Sequence, residues 1–193
     1  MPKIIDTFSA NSLKILDKNK EEFENKYIHN LFLNKKDERA ILGQKFHSLI
    51  CAFLKGFDTS KMILELNEKE NIIWENLKII LKEKKNNFIK TEYSFLIKEN
   101  IENKNYYLTG RFDAIYQEND EYIIYDWKTL NLPKDSENDL QSIVYLFCAN
   151  KIFNTQKIKM RYLSIEKTNF IDVDFKNSST YKQKIDSIVS KIL

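Results

Sequence analysis

One stretch limits what this chain can fold into more than any other: Tyr122-Ile123-Ile124-Tyr125-Asp126-Trp127-Lys128-Thr129. Read as a strand, it sets Tyr122, Ile124, Asp126 and Lys128 on one face and Ile123, Tyr125, Trp127 and Thr129 on the other. Both faces begin apolar, so the strand is expected at the centre of a sheet covered on two sides. An acid and a lysine two residues apart at its end are costly unless they pair or bind a metal. The acid-x-lysine pattern by itself is uninformative. Chance gives roughly four in a chain of this composition, and five occur, beginning at Glu24, Glu83, Glu102, Asp126 and Asp174. Only the one at Asp126 closes a strand apolar on both faces. The plain alternative is an exposed ion pair at a strand end.

The periodicity around that strand predicts a mixed α/β protein. Apolar residues at helical intervals give a helix over 9–33 (Leu13, Leu16, Phe23, Tyr27, Leu31), capped by Ser9 or Ser12. A second helix is expected over 37–54, burying Ile41, Leu42, Phe46, Leu49, Ile50 and Phe53, and a third over 67–85, burying Ile72, Ile73, Leu77, Ile80 and Leu81. The period then changes. Phe88–Lys98, Tyr106–Tyr116 and Tyr122–Thr129 read as an antiparallel meander with short polar turns. A helix over 135–151, strands over 158–166 and 170–175 and a closing helix over 178–193 complete the expectation. With 193 residues, 42% of them hydrophobic, the chain reads as one domain: a mainly helical part over 1–86 and an α/β core over 87–193.

Several classes are set aside by what the sequence lacks. The longest apolar run, Ile143–Ala149, falls far short of a membrane span, and the opening Met1-Pro2-Lys3-Ile4-Ile5-Asp6 turns polar too early for a secretory signal. Cys51 and Cys148 lie in apolar surroundings and read as reduced, buried thiols of a cytoplasmic protein. Two cysteines also cannot hold a four-cysteine zinc or iron–sulfur site. The three glycines, Gly43, Gly56 and Gly110, satisfy no phosphate-binding loop, so no nucleotide cofactor is expected. The net charge of +3 is unevenly spread: residues 98–139 hold five Lys/Arg against ten Asp/Glu, and residues 151–193 hold nine against four. A polyanion-binding surface beside an acidic, cation-seeking centre has this distribution, and so does an ordinary uneven surface.

The company of Asp126 and Lys128 sharpens the reading. The preceding strand holds Gly110-Arg111-Phe112-Asp113, and Asp113 can meet Asp126 if the sheet twists or a strand bends, which Gly110 would permit. Gln141 and Tyr145, four apart, share a helix face, and His47 sits on a helix beside Gly43 and Phe46. Each alone reads as an ordinary core or surface residue. In order, Gly43-x-x-Phe46-His47, Gly110-x-x-Asp113, Asp126-Trp127-Lys128-Thr129 and Gln141-x-x-x-Tyr145 resemble the RecB-type branch of the PD-(D/E)xK nucleases, as does the opening Phe8-Ser9-Ala10-Asn11-Ser12-Leu13.

That resemblance implies a restriction-endonuclease-like fold and a metal-dependent DNA nuclease. It implies that His47, Asp113, Asp126 and the Trp127 carbonyl bind Mg²⁺ or Mn²⁺, with Glu92 a weaker candidate. Lys128 would orient the attacking water or stabilise phosphoryl charge, and Gln141 and Tyr145 would support the site or contact the nucleic-acid backbone. Many members carry an iron–sulfur cluster on four cysteines, but Cys51 and Cys148 do not fit that set and no cluster is expected. Asp113 also follows Phe112 where proline is common.

The expected activity is exonucleolytic, on DNA ends or single strands, with a helicase or a repair or defence protein as possible partner. The competing reading is a catalytically silent DNA-binding scaffold subunit of a repair or defence complex. Lys82, Lys84, Lys85, Lys157, Lys159 and Arg161 are candidate phosphate contacts, and Phe57 or Tyr93 candidate base-stacking residues.

Overall fold

The computed structural model describes residues 5–31, 38–129 and 131–193. Its elements are β1 (Thr7–Ser9), α1 (Ala10–Lys18), α2 (Lys20–Phe23), α3 (Glu38–Leu54), α4 (Ser60–Leu64), α5 (Glu68–Glu83), β2 (Phe88–Ile101), β3 (Lys104–Glu118), β4 (Glu121–Lys128), α6 (Leu140–Phe153), β5 (Ile158–Ser164), β6 (Phe170–Asp174) and α7 (Ser178–Val189). One mixed six-stranded sheet runs β1-β3-β4-β5-β6, with β2 on the other edge of β3. The meander is antiparallel, β5 joins β4 in parallel after the α6 crossover, and β1 joins β3 in parallel.

Helices cover both faces, as the doubly apolar β4 requires. On one side, Ile124, Met160 and Tyr162 of the sheet pack with residues of α1, α6 and α7. On the other, Tyr116, Ile123, Tyr125 and Trp127 pack with Phe46, Leu49 and Ile50 of α3 and Trp74 and Leu77 of α5.

The predicted helix over 9–33 is divided. Asn19 is extended (φ −154°); its N–H caps α1 on the Ile15 carbonyl, while its side chain accepts the Glu22 N–H and starts α2. A π turn over Glu24–Ile28 follows; Leu31 is exposed, and residues 32, 33 and 37 lie outside the described residues. Ser9 does cap α1, through a reciprocal box with Ser12. The short strand before it was not legible, because three residues carry no period. Ile41 and Ile72, expected inside, are exposed: each falls just off a buried stripe, the one on α5 running through Ile73, Leu77 and Leu81. The helix expected from Asp135 begins at Leu140, because the Asp135 carboxylate takes the backbone and side-chain N–H groups of Asn138 and holds a turn there.

The feature that positions the site is on β3. Along one edge this strand meets two partners in succession: β1 over Tyr107–Thr109 and β4 over Ala114–Glu118. Gly110–Asp113 lies between them with no strand on that edge among the described residues, leaving a seam in the sheet. Side-chain alternation also changes phase here. Phe112 belongs to the cluster beneath α6, and so does Ile115, while Ala114 belongs to the cluster beneath α3 and α5.

Candidate active site

The β3–β4 register pairs Ala114 with Tyr125, so Asp113 and Asp126 stand directly opposite one another, one step beyond the last ladder pair. The hairpin register, with the turn at Asn119–Asp120, is enough to bring them together. The phase change in β3 coincides with Glu92 on β2, which the β2–β3 register brackets against Asp113 and which takes a left-handed φ of 54°. For a non-glycine residue inside a strand this is a strained backbone. Gly110, expected to permit the bend, has another task. A Cβ there would lie 2.5 Å from Phe95 Cζ, so its bareness makes room for a buried ring.

At the seam, side chains replace the missing ladder. Asp113 Oδ2 accepts the Trp127 N–H at 2.8 Å, and Tyr145 donates its hydroxyl to the Arg111 carbonyl at 3.0 Å. His47 closes the site from α3: Nδ1 is 3.4 Å from Asp113 Oδ1 and Nε2 is 3.1 Å from the Trp127 carbonyl. One turn earlier on the same helix, a Cβ on Gly43 would meet Thr129 Oγ1 at 2.7 Å. Glycine therefore lets α3 approach the end of β4 closely enough for His47 to reach it. From α6, Gln141 spans the acid–lysine pair, its Nε2 donating to Asp126 Oδ1 at 2.5 Å and its Oε1 accepting from Lys128 Nζ at 2.9 Å. Lys128 Nζ lies 2.7 Å from Asp126 Oδ2.

Burial decides the electrostatics. Asp126 is 6% exposed, and desolvation pushes its carboxyl up to about 6, helped by the Asp113 charge and opposed by Lys128. For His47, burial pulls the imidazole down, but Asp113, the Trp127 carbonyl and Asp126 more than offset it, and the net direction is up. Burial, with both aspartates adding, raises the Tyr145 phenol and keeps it a hydrogen donor.

Five of the sequence candidates, His47, Asp113, Asp126, Lys128 and Gln141, thus meet in one cluster together with the Trp127 carbonyl, and Tyr145 braces its edge. Glu92 is adjacent, lining the same groove as His47, and its carboxylate is ion-paired to Arg111. The six basic candidates do not join them. Lys84 pairs with Glu118 at 2.9 Å, Lys159 with Glu121 at 2.9 Å, and Arg161, 9% exposed, makes a two-pronged contact to Asp172 at 2.6 Å on each prong. Lys82, Lys85 and Lys157 are exposed near the same end of the sheet, by the β3–β4 hairpin. That end is about 20 Å from Lys128 along β4. Alternation does put Lys159 and Arg161 on a common face, but acids from neighbouring strands occupy it, a cross-strand fact no local pattern contains. Tyr93 is stacked on Phe112 in the aromatic cluster, whereas Phe57 is exposed. Arg111, not among the sequence candidates, also borders the cluster through Glu92; it sits inside Gly110-Arg111-Phe112-Asp113 and is one of only three arginines.

The donors suit a hard divalent cation by chemistry, two carboxylates and a carbonyl with one imidazole. Asp113 and His47 are engaged with each other and with Trp127, whereas Asp126 Oδ2 is buried and, beyond its ion pair with Lys128, has no hydrogen-bond partner among the described residues. Among the described residues, no three His, Cys, Asp or Glu side chains already stand together as a metal-holding group.

Residues 65–191 match the family model of the PD-(D/E)XK nuclease superfamily. The matched span contains Glu92, Asp113, Asp126, Lys128, Gln141 and Tyr145 and leaves out His47. Among solved structures, the crystal structure of SSO0001 is similar over 99% of this chain and 79% of that chain, at 18% identity and a TM-score of 0.53. That likeness concerns the fold, the restriction-endonuclease-like mixed sheet between helices. No curated protein sequence matches the chain. With two-thirds of its length covered by the family model, the chain belongs to the PD-(D/E)XK nuclease superfamily.

Proposed function

We propose that this chain is a divalent-metal-dependent DNA nuclease of the RecB-type branch, acting as an exonuclease on DNA ends and favouring single strands. The observation that carries the reading is the buried Asp126 paired to a half-buried Lys128, bridged by Gln141 and faced by Asp113 at a break in the sheet. Burying two acids side by side, with only a half-buried lysine to offset them, is expensive, and superfamily membership gives a reason for keeping them.

Asp113, Asp126, the Trp127 carbonyl and His47 would hold Mg²⁺ or Mn²⁺. The bound cation supplies a more acidic water and neutralises phosphate charge. The chain's own groups do the rest. Lys128 places its amine at the end of β4, where it can meet a phosphoryl oxygen or orient water, and Gln141 fixes both members of the pair. Tyr145 holds the Arg111 carbonyl and with it the backbone leading into Asp113. Glu92, turned to Arg111, is the weakest of the proposed ligands.

A second reading, a silent DNA-binding scaffold, draws support from Asp113 and His47 being engaged with each other and with Trp127. End-labelled single- and double-stranded DNA incubated with Mg²⁺, Mn²⁺ or EDTA separates the two. The nuclease reading expects metal-dependent cleavage that Asp113→Ala abolishes, with the product ladder giving polarity. Salt-sensitive DNA binding by a folded wild type that cuts with neither metal would favour the scaffold, whose partner would be a helicase or another repair or defence protein.

A further inference from the structure

A groove of about 830 Å³ runs from His47 along α3, between that helix and the Glu92–Arg111 edge of the sheet. Its far end is formed by the C-terminus of α3. There Gly56 takes a left-handed φ of 77°, its N–H donating to the Phe53 carbonyl, while the Phe57 N–H reaches back to Ala52 at 2.9 Å. This is a complete Schellman turn, so the backbone of Phe57 is fixed. Its ring is nevertheless 65% exposed and lines the groove, where a Schellman residue at this position usually packs back onto its helix. Lys55, on the other side of Gly56, also lines the groove and has no ion-pair partner among the described residues. Arg111 lies at the catalytic end, with its side chain 54% exposed and, among the described residues, ion-paired only to Glu92.

We propose that this groove is the subsite for unpaired nucleotides next to the scissile phosphate, with Phe57 stacking on a base and Lys55 and Arg111 holding flanking phosphates. The inference rests on the nuclease reading and deepens it. The volume lies within the roughly 300–1,000 Å³ of small-ligand pockets, so it fits a short run of nucleotides. A base face is free to meet an aromatic ring only in a single strand, since a duplex hides it in the stack. The two cations stand at opposite ends of a groove that leads directly to His47, which suits a backbone passing along it. The Glu92–Arg111 ion pair supplies a latch: Arg111 exchanges its carboxylate partner for a phosphate when a strand arrives, a swap between two anionic acceptors.

The test is fluorescence anisotropy with a labelled single-stranded oligonucleotide and a labelled duplex, in EDTA so that neither is cut. Phe57→Ala should weaken single-strand binding about tenfold, which corresponds to ~1.4 kcal/mol, within the range for one lost base stack. Duplex binding should change less than about twofold, and circular dichroism should show an unaltered melting temperature for this exposed position. Lys55→Ala should lower the slope of log K against log salt for the single strand by about one. Single-strand binding by Phe57→Ala equal to wild type, an equal loss on duplex, or no single-strand binding by wild type would each overturn the proposal. Cleavage by wild type with Mg²⁺ or Mn²⁺, scored separately, decides the nuclease reading: a cutting enzyme indifferent to Phe57 loses the groove alone.

Discussion

The two ends of β4 both carry acids beside lysines, and they differ in almost everything else. At the hairpin end the ladder is complete to the Glu118–Glu121 pair, and Lys84–Glu118 and Lys159–Glu121 bridge neighbouring elements at partly exposed positions. At the seam end the ladder stops at Ala114–Tyr125, a carboxylate substitutes for a backbone acceptor, and Asp126 and Asp113 are 6% and 7% exposed. The first arrangement is what solvent permits at little cost, since exposed pairs contribute about 0–1 kcal/mol. The second must be held in place by helices α3 and α6 against a desolvation penalty. Charge count alone therefore points to the wrong end of the sheet: burial and broken pairing distinguish a site from a solvated edge.

The largest effect should come from the seam. Lys128→Ala is expected to lower turnover by about a hundredfold or more, the scale of losing one preorganised electrostatic contact. Mn²⁺ affinity, measured by calorimetry, should change far less. A variant that lost metal binding and kept its turnover at saturating metal would contradict the role given to this lysine.

Gly110→Ala tests the packing at the same seam. The added methyl must displace the buried Phe95 ring, and overpacking of this kind costs about 1–3 kcal/mol. Urea unfolding should show that loss, whereas an unchanged midpoint would mean the ring has room to move.

Asp126→Asn should act on stability in the opposite direction from its effect on cleavage. The folded-state value near 6 lies above the ordinary 3.8, so the folded chain binds a proton more tightly than the unfolded chain does. Stability is then lost as pH rises from about 4 to about 6, and the charged form is penalised above that range. In EDTA the variant should melt above wild type at about pH 7.5, and the gain should vanish near pH 4. Equal melting temperatures at both pH values would mean that Lys128 and Gln141 compensate the buried charge fully. At the hairpin end, Lys159→Ala should cost under about 1 kcal/mol, and less in high salt.

Much of this was legible in the sequence. The doubly apolar β4, the three-strand meander and the Ser9 cap follow from local period and capping chemistry. The approach of Asp113 to Asp126 was half legible: the motif named both residues, and the two-residue turn at Asn119–Asp120 that sets their register lies in plain sequence. The seam was not legible, because it exists only where the three-residue β1 stops and β4 has not begun along β3, a coincidence of two distant segments. Nor was the Glu92–Arg111 pair, whose members are 19 positions apart and meet through the left-handed kink at Glu92. Lys159 and Arg161 show the converse: a sound local pattern, overridden by acids on the adjoining strands.

One variant from each end of β4, compared in a single cleavage assay, separates chemistry at the seam from chemistry at the hairpin. Wild type, Asp126→Asn and Lys159→Ala are incubated with end-labelled single-stranded DNA and Mg²⁺ or Mn²⁺, each protein first shown to be folded. Asp126→Asn should show no metal-dependent cleavage, and Lys159→Ala a rate within about twofold of wild type, since a partly exposed pair far from the seam contributes little. Cleavage retained by Asp126→Asn, or lost on changing Lys159, would contradict chemistry at the seam.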